Sequence, residues 1–158
     1  WLNKKNIREH LFTKLRNKMN YDKEKLVDQL IKHEGMELKV YKDSLGIETI
    51  GIGRNLVDRG VSEEEARYLC NNDIDIVEQE LGKSFPIVNS LDDTRTRVLL
   101  DMAFNVGLPR LRGFKRMWAA LEDNDYGEAA KEMLDSKWAR QVKTRAYTLA
   151  RMMESGED

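Results

Sequence analysis

The stretch from Glu34 to Gly53 has the sequence EGMELKVYKDSLGIETIGIG and differs in character from the rest of the chain. It is rich in β-branched and aromatic residues, and glycines interrupt it at short intervals, which is typical of strands joined by tight turns. We therefore predict a small antiparallel hairpin or a three-stranded sheet over roughly residues 38–57. No other part of the sequence indicates strands convincingly.

Helical patterns flank this segment on both sides, and cap residues mark where the helices begin and end. The first precedes it, from Asp22 through about His33. After it, a capping box at Ser62 and Glu65 opens a helix over about 63–81. A strongly apolar helix follows, which begins at Asp92 or Asp93 and is closed by Gly107. Shorter helices are predicted near 109–112, 115–123, 126–134 and 137–153. The apolar helix is hydrophobic nearly all round, so we expect it at the centre of a helical lobe.

These elements predict an α+β fold that is predominantly helical, in a domain over residues 21–158. We expect a small β-containing lobe at about 34–62, a connecting helix at about 63–81 and a helical lobe at about 90–153. A cleft between two such lobes is a natural ligand site. Residues 1–20 precede this domain as an extra amphipathic basic helix.

Composition excludes several classes of protein. The chain has 158 residues, 41% hydrophobic and 35% charged, as in ordinary globular proteins. No apolar run approaches the roughly 18 residues of a membrane span, and the basic first segment lacks the apolar centre of a signal peptide, so we expect neither. The single cysteine, Cys70, excludes an intrachain disulfide, and its helical context predicts a buried thiol. His10 and His33 lack metal-ligand spacing, and we expect no metal and no cofactor.

The net charge of −1 hides a strong local asymmetry. Residues 1–20 carry six Lys or Arg against one Glu, a balance of +5, so the remainder carries −6. Two further basic clusters lie at 110–116 and 137–151. Such patches attract an anionic partner, and nucleic acid, lipid headgroups and the carboxylates of cell-wall peptides all qualify.

Two acids and a hydroxyl residue stand out around the predicted hairpin. Eight residues separate Glu34 from Asp43, and five separate Asp43 from Thr49. A helix end that faces a hairpin can hold two carboxyl groups on either side of a sugar, as glycoside hydrolysis requires. Thr49 can orient a water molecule through its hydroxyl. With 28 acidic residues in the chain, the spacing alone is equally compatible with solvated surface acids.

The same run closely resembles the active-site segment of the T-even phage lysozymes, glycoside hydrolase family 24. The family pattern of Glu, Asp and Thr is intact, and the Thr-Ile-Gly-Ile-Gly tail follows it. The resemblance continues over about residues 24–152, at Ser90-Leu-Asp, Met102-Ala-Phe-Asn-Val-Gly107, Gly113-Phe114, Glu128-Ala-Ala130, Ser136-Lys-Trp138 and Arg145-Ala146. It implies a two-lobed, lysozyme-like fold.

The resemblance also implies a function. Glu34 would donate a proton to the glycosidic oxygen, Asp43 would act on the attacking water, and Thr49 would help to hold that water. The bond would be the β-1,4 link from N-acetylmuramic acid to N-acetylglucosamine in bacterial peptidoglycan. The family is regarded as inverting, which requires carboxyl groups about 6.5–9.5 Å apart. Arg145 matches an arginine that approaches the catalytic Glu, and its charge favours the ionised acid, so burial of Glu34 would have to offset it.

Substrate-contact positions of the family are carried over to six residues, of which Phe104 keeps the expected type. They are Asn55, Phe104, Asn105, Met117, Glu132 and Arg145.

This chain departs from the family pattern in three ways. A family histidine is replaced by Arg54, for which we predict an ion pair with Asp73. The segment from Asn55 to Ser62 is short, so we expect one helix fewer in the β-containing lobe. Residues 1–20 have no counterpart in T-even phage lysozyme, and we expect their apolar stripe to pack on the domain itself or on a partner domain. The alternative is contact with lipid or an outer-membrane surface.

The resemblance therefore implies a peptidoglycan hydrolase, which we expect to be monomeric and to bind no nucleic acid. We expect it to be made in the host cytoplasm and to act in the periplasm or on the cell wall. Two alternatives stay open: a non-catalytic peptidoglycan-binding or structural module of the same fold, and membrane permeabilisation by residues 1–20.

Overall fold

The computed structural model describes residues 19–158, and the chain divides into two compact units, one ending at Val61 and one running from Ser62 to Asp158. The basic helix predicted over residues 1–20 lies outside the described helices and strands and stays a prediction. Among the described residues, no helix is both long and apolar enough to cross a bilayer.

The described part of the first unit, residues 19–61, contains a helix, a small sheet and a one-turn helix. Asp22 caps the helix by accepting a hydrogen bond from the backbone N–H of Lys25 at 3.1 Å. The elements are α1 Lys23–Glu34, β1 Glu37–Lys42, β2 Glu48–Gly51, β3 Arg54–Asn55 and the one-turn helix α2 Leu56–Arg59. The strands pair antiparallel in the order β1-β2-β3, which confirms the three-stranded form of the predicted sheet.

The second unit is entirely helical. Its elements are α3 Glu63–Ser84, a 3-10 turn at Pro86–Ser90, α4 Asp93–Val106, α5 Leu108–Leu111, α6 Lys115–Glu122, α7 Tyr126–Leu134, α8 Lys137–Val142 and α9 Thr144–Ser155. The predicted capping box opens α3, since Ser62 and Glu65 exchange hydrogen bonds of 2.7 and 3.1 Å. The predominantly helical α+β class is confirmed.

The hydrophobic core lies around α4, as the apolar pattern predicts. Val98, Leu99 and Met102 of this helix are completely buried, together with Leu81 of α3 and Met153 of α9. Asp92 caps α4 by accepting the N–H of Arg95. Because these residues exclude water from the centre of the unit, the position of every site residue on α4 depends on this packing.

Two predictions for the second unit are wrong. The single helix expected at 137–153 is two helices, because Lys143 adopts φ 47° and ψ −109°, which no α-helix can accommodate. A lysine gives no signal for such a conformation. Cys70 is exposed rather than buried, since α3 contributes to the core only near its C-terminal end, at Val77 and Leu81.

Arg95 ties three helices of this unit together. Its Nε and Nη2 donate to the carbonyl oxygens of Met153 and Glu154 on α9, at 2.7 and 2.8 Å. Its guanidinium lies 3.7 Å from the centre of the Tyr126 ring on α7 and forms an ion pair with Asp92. Burial opposes ionisation of Asp92, but the hydrogen bonds and charge of Arg95 outweigh it and lower the pKa of Asp92.

This tie can be tested at Gly156, which ends α9 with φ 74°. A Cβ at Gly156 would lie 2.7 Å from Nη1 of Arg95. We expect Gly156→Ala to lower the free energy of unfolding by about 1–3 kcal/mol, because the methyl group displaces the guanidinium and alanine is strained at positive φ. Urea unfolding measures the change.

Gly127→Ala on α7 is the matched control. Its φ is outside the left-handed region, and a Cβ there would come no closer than 3.7 Å to any other atom outside its own helix backbone and its chain neighbours. We expect it to keep or slightly raise stability, since alanine is the better helix former. Equal stability of the two variants would contradict the role given to Arg95.

Candidate active site

Glu34 is the last residue of α1, and its side chain is exposed. Gly35 ends the helix with φ 78° and donates its N–H to the carbonyl oxygen of Ile31 at 2.9 Å. The turn between β2 and β3 passes directly beside the carboxylate, because a Cβ built on Gly53 would lie 3.3 Å from Glu34 Oε2. A side chain at position 53 would require the Glu34 carboxylate to shift by a few tenths of an ångström.

Asp43 is half-buried in the turn between β1 and β2. Its Oδ1 accepts two backbone hydrogen bonds, from Leu45 at 2.8 Å and from Ile47 at 2.9 Å. These bonds fix the carboxylate rigidly, and both engage the same oxygen. Asp43 therefore shapes the turn and can still present its second oxygen to a water molecule.

Thr49 occupies the centre of the sheet, opposite Tyr41 on β1 and Asn55 on β3. It is 3% exposed and is the one buried side chain among residues 19–61. Its hydroxyl donates to the carbonyl oxygen of Ile47 at 3.0 Å, so its lone pairs remain available as acceptors. A carboxylic acid, a fixed carboxylate and a hydroxyl acceptor are the groups that general acid–base hydrolysis uses.

Asn55, which is predicted to bind substrate, caps the short helix α2 in the same unit. Its Oδ1 accepts the N–H of Asp58 at 2.9 Å, and its Nδ2 donates to Asp58 Oδ2 at 2.9 Å, so it caps α2. Arg54 donates from Nε to the carbonyl oxygen of Gly60 at 2.7 Å. Its predicted ion pair with Asp73 stays a prediction.

In the second unit, Met117 and Glu132 line one cavity of about 770 Å³. Glu132 lies 3.8 Å from Arg116, with its side chain 16% exposed. Met117 is 1% exposed and therefore contributes mainly to the floor and the core. The two basic clusters of the sequence meet at this cavity, which Arg110, Lys115, Arg116 and Lys137 line together with the acids Glu132 and Asp135.

Phe104, Asn105 and Arg145 lie on α4 and α9. Phe104 is 48% exposed and lines a second cavity of about 320 Å³, together with Arg145. Asn105 accepts a hydrogen bond of 2.8 Å from Nε1 of Trp138, which lines the larger cavity. The structure thus places Met117 with Glu132 and Phe104 with Arg145, each pair at its own cavity.

One residue that the sequence did not single out joins this group. Asp101 on α4 accepts a hydrogen bond from Nε of Arg145 at 2.9 Å, and Nη2 of the same guanidinium forms an ion pair with it at 2.8 Å. The two residues are 44 positions apart, so no local pattern indicates the pair. The only sequence feature that connects Asp101 with the predicted substrate residues is its position one helical turn before Phe104.

Comparison with known proteins identifies the family. A family model described as phage lysozyme matches residues 31–154, which is most of the chain. The chain belongs to the phage lysozyme family. The matched region includes Glu34, Asp43 and Thr49, and it extends through Arg145.

Individual relatives agree with this family. The chain is 28% identical to "Probable T4-type lysozyme 1" of Dictyostelium discoideum, over 82% of this chain and 93% of the relative. "Probable T4-type lysozyme 2" of the same organism is 27% identical, over 83% and 94%. The "Pre-baseplate central spike protein Gp5" of Enterobacteria phage T4 is 26% identical, over 83% of this chain but 28% of that protein. The chain is a lysozyme-type glycoside hydrolase, and its family implies peptidoglycan as the substrate.

The contact between Gly53 and Glu34 provides a test of whether activity depends on the position of the Glu34 carboxylate. Gly53 and Gly51 both have φ 67°, but a Cβ on Gly51 would meet no atom within 4 Å. We expect Gly53→Ala and Gly51→Ala to lose similar stability from backbone strain, about 1–3 kcal/mol each. Gly53→Ala should lose about tenfold more activity, because it displaces the Glu34 carboxylate.

Cell-wall turbidity assays and thermal unfolding of both variants measure these effects. An equal loss of activity in both variants would show that the Glu34 carboxylate is not sensitive to its neighbour at Gly53.

Proposed function

We propose that this lysozyme is a muramidase that cleaves the β-1,4 bond between N-acetylmuramic acid and N-acetylglucosamine with inversion. The observation that carries the proposal is the arrangement of the first unit. Thr49 lies on β2 of the small sheet, Asp43 lies in the turn between β1 and β2, and the carboxylate of Glu34 lies against the Gly53 turn that joins β2 to β3. All of these residues fall in the segment that matches the family.

The chemistry follows from the roles of the two carboxyl groups. Glu34, protonated, donates its proton to the glycosidic oxygen as the bond to the anomeric carbon breaks. Asp43, ionised, accepts a proton from the water that attacks that carbon from the opposite face. Its hydrogen bonds from the backbone N–H groups of Leu45 and Ile47 keep the carboxylate in place.

Thr49 supports the same water. The hydroxyl proton of Thr49 is committed to Ile47, so Thr49 acts as an acceptor for one proton of the water while Asp43 accepts the other. In this arrangement Thr49 and Asp43 both act as acceptors, which is consistent with the hydrogen bonds that each already makes.

We assign substrate binding in the second unit to Phe104, Asn105, Met117, Glu132 and Arg145. In the first unit we assign it to Asn55, which also caps α2. Phe104 offers an exposed aromatic surface, which sugars favour. The larger cavity carries charges of both signs, which suits the charged peptides attached to muramic acid.

We propose further that the enzyme acts in the periplasm or on the cell wall, in bacterial lysis or in phage wall penetration. The similarity to a phage spike protein supports the second of these roles. Contact of residues 1–20 with an anionic envelope surface, suggested by their charge of +5, is part of the same proposal.

The role of Glu34 is tested by Glu34→Gln, which keeps the shape of the side chain and removes its proton donor. We expect loss of at least about 10³-fold in turbidity clearance of peptidoglycan, since the general acid provides a large share of the rate. Glu48→Gln on β2 is the matched control, because Glu48 is an exposed acid of the same sheet. It should keep nearly full activity.

Equal clearance by the wild type and Glu34→Gln would discard the mechanism. Binding to peptidoglycan without clearance by the wild type would favour the non-catalytic module. Lysis of cells that survives Glu34→Gln but disappears on deletion of residues 1–20 would favour membrane permeabilisation.

A further inference from the structure

Glu132 is a largely buried carboxylate that lines the larger cavity of the second unit and has only a weak partner. Its side chain, on α7, is 16% exposed, and its ion pair with Arg116 of α6 spans 3.8 Å, which is too long for a hydrogen bond. Among residues 19–158 it accepts no hydrogen bond. The side chain of Arg116 is 81% exposed, so solvent screens the attraction between the two charges. A carboxylate in this position would gain from a cationic ligand, because burial is unfavourable for an ion without close partners.

The aromatic wall of the cavity is held rigidly. Phe114 and Trp138 meet edge to face, with ring centres 6.2 Å apart. Nε1 of Trp138 donates to Asn105 at 2.8 Å, which fixes the orientation of the indole. The cavity volume of about 770 Å³ is typical of sites that hold small molecules or short peptide segments. Glu132 therefore faces a preformed space that is large enough for a ligand.

The other charges of the cavity restrict which cationic ligand fits. Four basic side chains line it, namely Arg110, Lys115, Arg116 and Lys137. A ligand with positive charge alone would be repelled by these four, and one with negative charge alone would be repelled by Glu132 and by Asp135 beside it. A group that carries an ammonium and a carboxylate close together satisfies both sets of charges.

Peptidoglycan offers one group of this kind. The third residue of its stem peptide is a diamino acid, and where that residue is diaminopimelate its side chain ends in an ammonium group with a carboxylate on the same carbon. Cross-linking through this nitrogen forms an amide and removes the positive charge, as acylation of a lysine does. Glucosamine units that lack the N-acetyl group also carry an ammonium, but they have no carboxylate next to it.

We propose that Glu132 binds the free ammonium group of diaminopimelate in the stem peptide, while the basic side chains of the cavity bind the adjacent carboxylate. Glu132 is then a specificity-determining residue that selects stems whose amine is not cross-linked. The inference rests on the proposed function, in which Glu132 contacts peptidoglycan. Every group that it uses belongs to the second unit.

The test compares two soluble probes. Each is N-acetylmuramic acid that carries L-Ala-γ-D-Glu-meso-diaminopimelate, with the side-chain amine either free or acetylated. Neither probe contains a glycosidic bond, so hydrolysis does not interfere with binding. NMR titration of the full chain follows the indole N–H signal of Trp138, which lines the cavity. We expect the free amine to bind about tenfold more tightly, because acetylation removes its charge-assisted contact with Glu132.

Two variants make the result specific to Glu132. Glu132→Gln keeps the shape of the side chain and removes its charge, and it should bind the two probes within about twofold of each other. Glu122→Gln is the matched control, because Glu122 is an exposed acid of α6 that does not line the cavity. It changes the net charge equally and should keep the full preference. Thermal unfolding identifies any general loss of structure in either variant.

Equal binding of the two probes by the wild type would overturn the inference, and so would a preference for the free amine that survives Glu132→Gln. Loss of the preference in Glu122→Gln would attribute it to net charge and overturn the inference as well. Tighter binding of a glucosamine trimer than of the free-amine probe, abolished by Glu132→Gln, would assign the ammonium to the sugar and exclude the peptide. Failure of the proposed function is recognised separately, because Glu34→Gln would then remain active whatever these probes show.

Discussion

Burial of α4 is the constraint on which the second unit depends. Val98, Leu99 and Met102 have no exposed surface, and truncating any of them would cost about 1–5 kcal/mol through lost contacts and an unfilled cavity. The same helix carries Asp101, Phe104 and Asn105 on its outer side. The helix axis and rotation that the core requires therefore also fix where the candidate substrate groups lie.

Because α4 both forms the core and carries candidate substrate residues, the contacts at its two ends matter for the site. Arg95 ties the start of α4 to the end of α9, and Arg145 ties the start of α9 to Asp101. The two contacts bracket the α4–α9 packing at opposite ends, so the guanidinium of Arg145 is held by a rigid frame. Rigid support of this kind is what a preorganised site needs.

The first unit is not stabilised by a buried core of this kind, because Thr49 is the only buried side chain among residues 19–61. Backbone pairing and the bonds of Asp43 to its own turn hold the sheet. Asp43 thus has a folding task and a proposed chemical task at the same residue. A substitution at Asp43 would confound the two, which is why changes at Glu34 and Gly53 are more informative.

The sequence predicted those features that depend on local signals. The β segment, the capping box at Ser62 and the apolar α4 each follow from patterns a few residues long. The positive φ of Lys143 and the exposure of Cys70 were not predictable, because tertiary packing decides both.

For the site, Glu34, Asp43 and Thr49 were found by their resemblance to a family, since spacing alone left them among many surface acids. Asp101 was missed because its partner, Arg145, is brought to it only by the packing of α4 against α9. The hydrogen bonds of Asn55 to Asp58 were missed for a different reason: no apolar period in the sequence marks the short helix that begins there.

The most direct test of the account is proton NMR of the products in the first moments of hydrolysis of a soluble, uncross-linked glycan. An inverting muramidase must release a new reducing end on N-acetylmuramic acid, and that end must first appear as the α-anomer. First appearance of the β-anomer would make Asp43 a nucleophile. A reducing end on N-acetylglucosamine, or a product with no reducing end, would contradict the bond assignment itself.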